Sequence, residues 1–242
     1  MDIKKEERTS FTEQLYSSDL AEKLVTLAKP IVAKHMKLCL ADKTLKYEEL
    51  GNAYEQRIKQ ALEVFGNLGI VVSDLEKVIT FLELDKNKIV ETYSNLEIEE
   101  YYNYHLENYV IRLNSIPDIL AQLGNIICQW GISDKHCYGT SISSNDKITD
   151  NDIKNNFSLL CTEISSIRSI RNKKVHTGKA EIDYLGKALC WEIFPKLGIP
   201  LDPIIEEYAK EQKNEAVQNI CDEINTVLKI IVDILNQYNS CL

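Results

Sequence analysis

The sequence is poor in the residues that interrupt helices. Of 242 residues, only 9 are Gly and 5 are Pro. Turn-rich β-sandwiches and barrels need many more of both, so their scarcity argues against such folds. Long apolar runs are missing too, since even the apolar stretch 227–235 is interrupted by Lys229 and Asp233. No transmembrane segment is therefore predicted.

Several motifs that define large enzyme classes are also missing. The sequence has no glycine-rich phosphate loop, no G-x-S-x-G and no H-E-x-x-H. His136 and Cys137 are adjacent but lack a second pair of ligands, so we predict neither a metal site nor a cofactor. The seven cysteines include no C-x-x-C pair, which is typical of thiols in a reducing cytosol. The stretch MDIKKEERTS has no apolar core, so no signal peptide and a cytoplasmic location are expected.

The net charge is −9, which disfavours a protein that coats nucleic acid, so any RNA contact must be local. One segment departs from this balance. Between Ile164 and Ala180 there is no acid, and the basic residues there are Arg168, Arg171, Lys173, Lys174 and Lys179. These cations fit an anionic ligand. They also fit the negative end of a helix dipole, with Gly178 as a helix stop, and both interpretations stay open.

The segment begins as an amphipathic helix that we predict from Thr149 onward. Its apolar positions recur in steps of four and three, at Ile153, Phe157, Leu160, Ile164 and Ile167. The next seam position is Arg171, and burying a guanidinium there is costly unless an anion meets it. His176 follows five residues later, which is about 140° around an unbroken helix. The two therefore share a site only if the helix frays or turns between them, or if a second chain supplies one of them.

A second long helix is predicted over residues 97–130, with an apolar seam from Tyr102 to Ile127. Beside the seam runs a polar stripe made of Tyr101, His105, Asn108 and Arg112. Three interpretations stay open. The stripe is an ordinary solvated face, or a hydrogen-bonded network, or one wall of a binding cleft that also contains Arg171.

The periodicity along the whole chain predicts an all-α protein, an up-and-down helical bundle with an N-terminal helical extension. We place the extension at residues 1–95 and the bundle at residues 96–242. Further predicted elements are helices at 19–40, 47–66, 179–194 and 206–238 and a long helix at 150–173. For residues 69–72 a connector is preferred to a short strand.

The segment Arg171-Asn172-Lys173-Lys174-Val175-His176 resembles the R-x4-6-H motif of the HEPN superfamily. Asn172 occupies the position after the Arg that this family often fills with a polar residue. The segment YYNYHLENYVIRLNSIPDIL, from Tyr101, resembles the long early helix of some HEPN proteins. The resemblance extends over about residues 96 to 240.

This resemblance implies a metal-independent endoribonuclease. His176 would take the proton from a ribose 2′-hydroxyl or position that hydroxyl, and Arg171 would grip the scissile phosphate. Asn172 would orient the phosphate or the imidazole. RNA would be bound by further polar and basic side chains, namely Arg168, Lys173, Lys174, Lys179, Arg112, His105 and Asn108.

The resemblance also implies a homodimer in toxin–antitoxin or phage-defence biology, with RNA as substrate, an antitoxin protein as a partner and no membrane partner. Some HEPN toxins carry a Tyr two residues after the His, where a nucleotidyltransferase modifies it. Here that position is Gly178, so neutralisation by this route is not expected. The alternative function is a non-catalytic helical module that dimerises or binds a partner through the same cleft.

Overall fold

A computed structural model describes residues 10–93, 97–177, 191 and 198–242, with only the backbone of residues 171 and 173–177. This part of the chain contains nine α-helices and no strand, which confirms the predicted all-α class. The helices are α1 (Phe11–Tyr16), α2 (Asp19–Ala41), α3 (Ala53–Leu82), α4 (Lys86–Thr92), α5 (Ile98–Ile127), α6 (Gly139–Ile142), α7 (Asn151–Glu163), α8 (Ser165–Thr177) and α9 (Pro203–Asn239). None of the described helices is long and apolar enough to cross a membrane.

The helix α3 is longer than predicted. The expected connector at 69–72 is wrong, because α3 runs unbroken through these residues. Gly69 suggested a break, but it is explained by packing: a Cβ there would collide with the hydroxyl of Tyr16. The start is also later than predicted, because Tyr47–Glu49 forms a separate 3₁₀ turn and Gly51 has a φ of 101°. Glycine thus marks a close approach at one position and a tight turn at the other.

The stretch predicted as one helix from 149 is two helices, α7 and α8, interrupted at Ile164. Asp150 caps the start of α7, because its carboxylate accepts from the backbone N–H groups of Asp152 (2.8 Å) and Ile153 (3.2 Å). Ile164 is fully buried. Because an apolar side chain occupies the break itself, the apolar periodicity continues across it and does not reveal it.

The described residues form two compact units. Unit 1 consists of Met1–Ser73, Ser115–Glu163 and Val227–Leu242, and unit 2 of Asp74–Asn114 and Ile164–Thr226. The division into an extension at residues 1–95 and a bundle at residues 96–242 stays a prediction. The helices α3, α5 and α9 each contribute residues to both units.

The core of unit 1 contains the end of α9. Tyr238 is fully buried and donates a hydrogen bond to the carbonyl of Leu120 at 2.9 Å, while its ring meets Trp130 edge to face. Cys128 and Cys241 form a disulfide in the same region. The sequence had indicated thiols, since no spacing rule relates two cysteines 113 residues apart. The pairing arises only because the fold brings the ends of α5 and α9 together.

Unit 2 is held by tyrosines of α5 and polar side chains of α9. The Tyr109 hydroxyl donates to a Glu223 carboxylate oxygen at 2.5 Å. The Lys213 ammonium donates to the Leu84 carbonyl at 2.6 Å and to the Tyr102 hydroxyl at 2.9 Å. Burial lowers the pKa of Lys213. These contacts satisfy polar groups inside the unit and fix the end of α3 beside α5 and α9.

Candidate functional site

The helix α8 belongs to unit 2 and buries one apolar edge there. Ile164 and Ile167 are fully buried, whereas Ser165, Ser166 and Ser169 are exposed. Arg168 is half-buried and Asn172 is exposed. An exposed Asn172 is free to reach a ligand, as its predicted role requires.

The whole motif from Arg171 to His176 lies within α8, which continues to Thr177. The helix therefore neither ends nor turns between the two residues. With 3.6 residues per turn and a rise of 1.5 Å, the two positions lie about 140° and about 7.5 Å apart on the helix. An unbroken α8 therefore shows neither the fraying nor the turn that the sequence left open, and a second chain that supplies one of the two residues stays a prediction.

The remaining residues assigned to this region fall outside the described part. These are Gly178, predicted to end the helix, Lys179, predicted to bind RNA, and nearly all of the helix expected at 179–194. The side chains of Lys173 and Lys174 are likewise outside it, although their backbone belongs to α8. Their predicted contacts with RNA stay predictions.

The polar stripe of α5 is not an ordinary solvated face. His105 is only 8 % exposed, and Tyr101 is buried beside it. The imidazole stacks on the Phe81 ring at 4.6 Å between centroids, and the Tyr101 ring lies 4.5 Å away. Burial lowers the pKa of His105 and raises that of Tyr101 to about 12, so both side chains are neutral at pH 7.

The other half of the stripe is nearer the surface and is hydrogen-bonded within unit 2. The Asn108 amide donates to the Tyr104 carbonyl at 3.0 Å. The Arg112 guanidinium pairs with the Asp74 carboxylate of α3 at 2.9 Å. Each of these two side chains therefore has a partner within unit 2. Contact of His105, Asn108 and Arg112 with RNA stays a prediction.

Four buried polar residues of the described part were not assigned roles from the sequence: Ser18, His35, Lys59 and Asn114. In unit 2, the Asn114 amide donates to the Val110 carbonyl at 2.8 Å, while its Oδ1 is buried with no partner in the described part. In unit 1, His35 is buried with an imidazole nitrogen 3.4 Å from the Glu55 carboxylate. The sequence signal for Asn114 is its place beside Leu113, on the apolar side of α5. Among the described residues no group of three or more His, Cys, Asp or Glu could hold a metal ion.

Comparison with known families agrees with the motif. The Cthe2314-like HEPN family model matches residues 54–236, which is well over half of the chain. No curated protein and no solved structure gives a significant match. The chain belongs to this HEPN family, and the predicted resemblance is confirmed. The matched range begins at residue 54, earlier than the resemblance at 96 suggested, and includes α3 and α4.

Membership indicates a nuclease, an RNA-binding module or a toxin-like module. The matched range contains α8 and the polar stripe of α5. It does not contain α1 or α2.

Proposed function

We propose that the protein is a metal-independent endoribonuclease of the HEPN type that acts as a homodimer. The observation that carries the proposal is the position of the Arg171–His176 motif within one unbroken helix of a chain that belongs to this family. An Arg on an otherwise apolar seam supports the same proposal, because its charge requires an anionic partner.

The reaction uses the ribose 2′-hydroxyl as its nucleophile. His176 accepts the hydroxyl proton through a ring nitrogen, and the 2′-oxygen attacks the adjacent phosphorus. The bond from phosphorus to the 5′-oxygen breaks, and this oxygen takes up a proton from water. The products carry a 2′,3′-cyclic phosphate and a 5′-hydroxyl. Arg171 binds two phosphate oxygens with its planar guanidinium and offsets the charge that develops on them. Asn172 orients the phosphate or the imidazole.

Two chains are needed to build this arrangement. A two-fold axis beside α8 places the same surface of both protomers face to face. Arg171 of one protomer then lies beside the His176 position of its partner, which overcomes the separation of about 140° within one helix. Each dimer contains two such sites.

RNA is held by the basic residues around the motif. Arg168, Lys173, Lys174 and Lys179 contact phosphates without reading sequence. Because the chain as a whole carries a net charge of −9, RNA binds only at this local concentration of cations. Binding weakens as salt is added, because phosphate contacts release counterions.

The biological setting that fits this activity is toxin–antitoxin or phage-defence biology in the cytoplasm, with an antitoxin protein as the natural inhibitor. The setting is tested by the neighbouring genes, and a gene for a small antitoxin or a nucleotidyltransferase beside the gene for this chain would support it. Gly178 gives a nucleotidyltransferase no hydroxyl at the position that some relatives modify, so direct binding is the expected mode of inhibition.

The test is cleavage of one end-labelled RNA by the wild type, His176→Ala and Arg171→Ala, each with and without EDTA. His136→Ala is the matched control, because His136 is an exposed histidine in a 3₁₀ turn of unit 1. We expect the wild type and the control to produce 2′,3′-cyclic phosphate ends with or without EDTA, and to leave DNA intact. Intact RNA after incubation with folded, dimeric wild type would replace the proposal with the non-catalytic module.

A further inference from the structure

A second basic segment lies in unit 1, on α2 and the residues that follow it. Residues 23–46 contain six lysines and a single acid, Asp42. In a chain with a net charge of −9, this segment is locally cationic. It lies outside residues 54–236, the range that matches the HEPN family, so the proposed nuclease site does not account for it.

Three of these lysines are already engaged within the protein. Lys34 pairs with Glu55 at 2.8 Å, Lys46 pairs with Glu49 at 3.0 Å, and Lys23 donates to the Asn239 carbonyl at 2.9 Å. The others, Lys29, Lys37 and Lys43, are exposed and form no hydrogen bond or ion pair with the described residues. These three ammonium groups are available to an external anion.

Large aliphatic side chains accompany them on the outer surface of α2. Val25 and Met36 are each 53 % exposed, and Leu40 is 79 % exposed. At 100° per residue, these three positions lie within about 60° of one another, along about 22 Å of helix. Lys29 lies inside this stripe, and Lys37 lies about 60° beyond Leu40 around the helix. The stripe is separate from the face that α2 buries in the core of unit 1, which includes Leu24, Ala28 and Ile31.

The chemistry of this surface, formed by Val25, Lys29, Met36, Lys37, Leu40 and Lys43, limits what can bind there. A second copy of α2 would bring lysines against lysines. RNA would use the charges, but unbranched and branched aliphatic side chains offer no ring for base stacking and no hydrogen bond for a base edge. An anionic phospholipid membrane accounts for both the exposed lysines and the exposed aliphatic side chains. Its headgroups pair with lysine, while the aliphatic side chains enter the boundary of the acyl region.

We propose that this surface of α2 binds the face of an anionic lipid membrane, as a peripheral contact without insertion of a spanning helix. The proposal departs from the expectation that the protein has no membrane partner. Lys29, Lys37 and Lys43 supply the attraction, and Val25, Met36 and Leu40 supply the apolar contact. It is independent of the proposed nuclease, since it uses no residue of α8 and stands if no RNA is cleaved.

The experiment measures sedimentation of the full chain with vesicles of phosphatidylcholine alone or mixed with phosphatidylglycerol. We expect binding to the mixed vesicles only, lost as NaCl rises from about 50 mM to about 500 mM because the shorter Debye length screens the lysines. Replacing Lys29, Lys37 and Lys43 together with Glu should lower the partition coefficient about a hundredfold or more, since each lysine near an anionic surface counts for about fivefold.

The matched control replaces three other exposed lysines, Lys88, Lys210 and Lys229, with Glu, which changes the net charge equally. This control should retain binding to within a few-fold. Met36→Trp in the wild-type background reports the apolar contact, and its fluorescence should shift to shorter wavelength with mixed vesicles.

Four results would each overturn the proposal. One is no binding to the mixed vesicles at low salt. Another is an equal loss of binding in the control variant, which would indicate that binding depends on net charge alone and not on this surface. The third is a Met36→Trp emission that does not shift. The last is evidence that the surface binds something other than lipid. It would be either a loss of RNA affinity in the triple variant or a loss of self-association in Leu40→Ser, measured by light scattering.

Discussion

The polar stripe of α5 and the motif of α8 contain the same types of side chain, His, Asn and Arg, and both lie in unit 2. On α5, the imidazole of His105 stacks on Phe81 and the guanidinium of Arg112 meets Asp74. On α8, the motif lies in a segment that contains no acid from Ile164 to Ala180. Residue type alone therefore does not distinguish a packing role from a catalytic one.

The difference lies in what surrounds each group. Burial favours the neutral imidazole at His105, and a carboxylate offsets the charge of Arg112. Asn172 of α8, by contrast, is exposed. The α5 stripe should therefore act mainly on stability, and the α8 motif on activity.

The largest expected effect is on the rate of RNA cleavage. Arg171→Ala removes the counter-charge for the phosphate in the transition state, and a loss of about 2.7–4 kcal/mol is typical of one such group. His176→Ala should abolish cleavage, since it removes the group proposed to take the 2′-hydroxyl proton. Arg171→Lys should restore little, because an ammonium lacks the two-pronged geometry. Single-turnover rates with a labelled RNA measure all three.

Circular dichroism and urea unfolding are the controls for these variants, and both should match the wild type. Cleavage that persists in His176→Ala, or that EDTA abolishes, would contradict the assigned roles.

A smaller effect, on stability, is expected at His105. His105→Ala removes the contacts with Phe81 and Tyr101 and should lower the free energy of unfolding by about 2 kcal/mol. RNA cleavage measured at a temperature where the variant is folded should stay within a few-fold of the wild type. A normal unfolding midpoint combined with lost RNA affinity would instead place His105 in contact with RNA and remove the contrast between the two helices.

The pKa of His105 gives this stability effect a pH dependence. In the unfolded chain a His titrates near 6.5, and burial lowers that value in the folded protein. Between the two pKa values the unfolded chain binds a proton that the folded chain does not, so the free energy of unfolding falls as the pH drops below about 6.5. His105→Phe keeps the stacked ring and should show a weaker fall. Urea titrations at a series of pH values measure both, and identical slopes would assign the pH dependence to other groups.

The smallest effect is expected at Arg112, whose pair with Asp74 is partly exposed. Arg112→Ala should lower the free energy of unfolding by about 0.5 kcal/mol, the usual range for a surface pair. A double-mutant cycle with Asp74→Ala should recover a coupling energy of that size. A coupling energy near zero, together with weaker RNA binding in Arg112→Ala alone, would indicate that the guanidinium contacts RNA and that its ion pair with Asp74 of α3 contributes little to stability.

Periodicity predicted the long helices well, because their apolar seams are regular. The helix predicted at 97–130 is α5 at Ile98–Ile127, and the helix predicted at 206–238 is α9 at Pro203–Asn239. It could not predict the break at Ile164, since a buried Ile there keeps the seam intact. It also misjudged Gly69, whose role depends on Tyr16, more than fifty residues earlier in the chain.

The sequence shows the motif of the candidate site, but it does not show which side chains from other helices surround the polar residues. In the sequence, His105 lies one position before the seam residue Leu106. Its side of α5 is buried because the Phe81 ring stacks on the imidazole, and the sequence pattern does not show this contact. Likewise, the disulfide between Cys128 and Cys241 depends on which helix ends meet in unit 1. Such contacts between distant segments are set by the tertiary fold, which the local pattern does not contain.

The central claim is that Arg171 and His176 act together across two chains, because one unbroken α8 separates them. The most direct measurement mixes Arg171→Ala protein with His176→Ala protein, after dissociation and reassociation, and assays RNA cleavage. In a mixed dimer, one site then combines the intact Arg171 of one protomer with the intact His176 of the other. We expect two inactive variants to regain about a quarter of wild-type activity, from random pairing in a two-fold dimer. If the reassociated mixture, shown by mass to contain mixed dimers, stays as inactive as its parents while the wild type cleaves, each site takes both residues from one chain and the claim is contradicted.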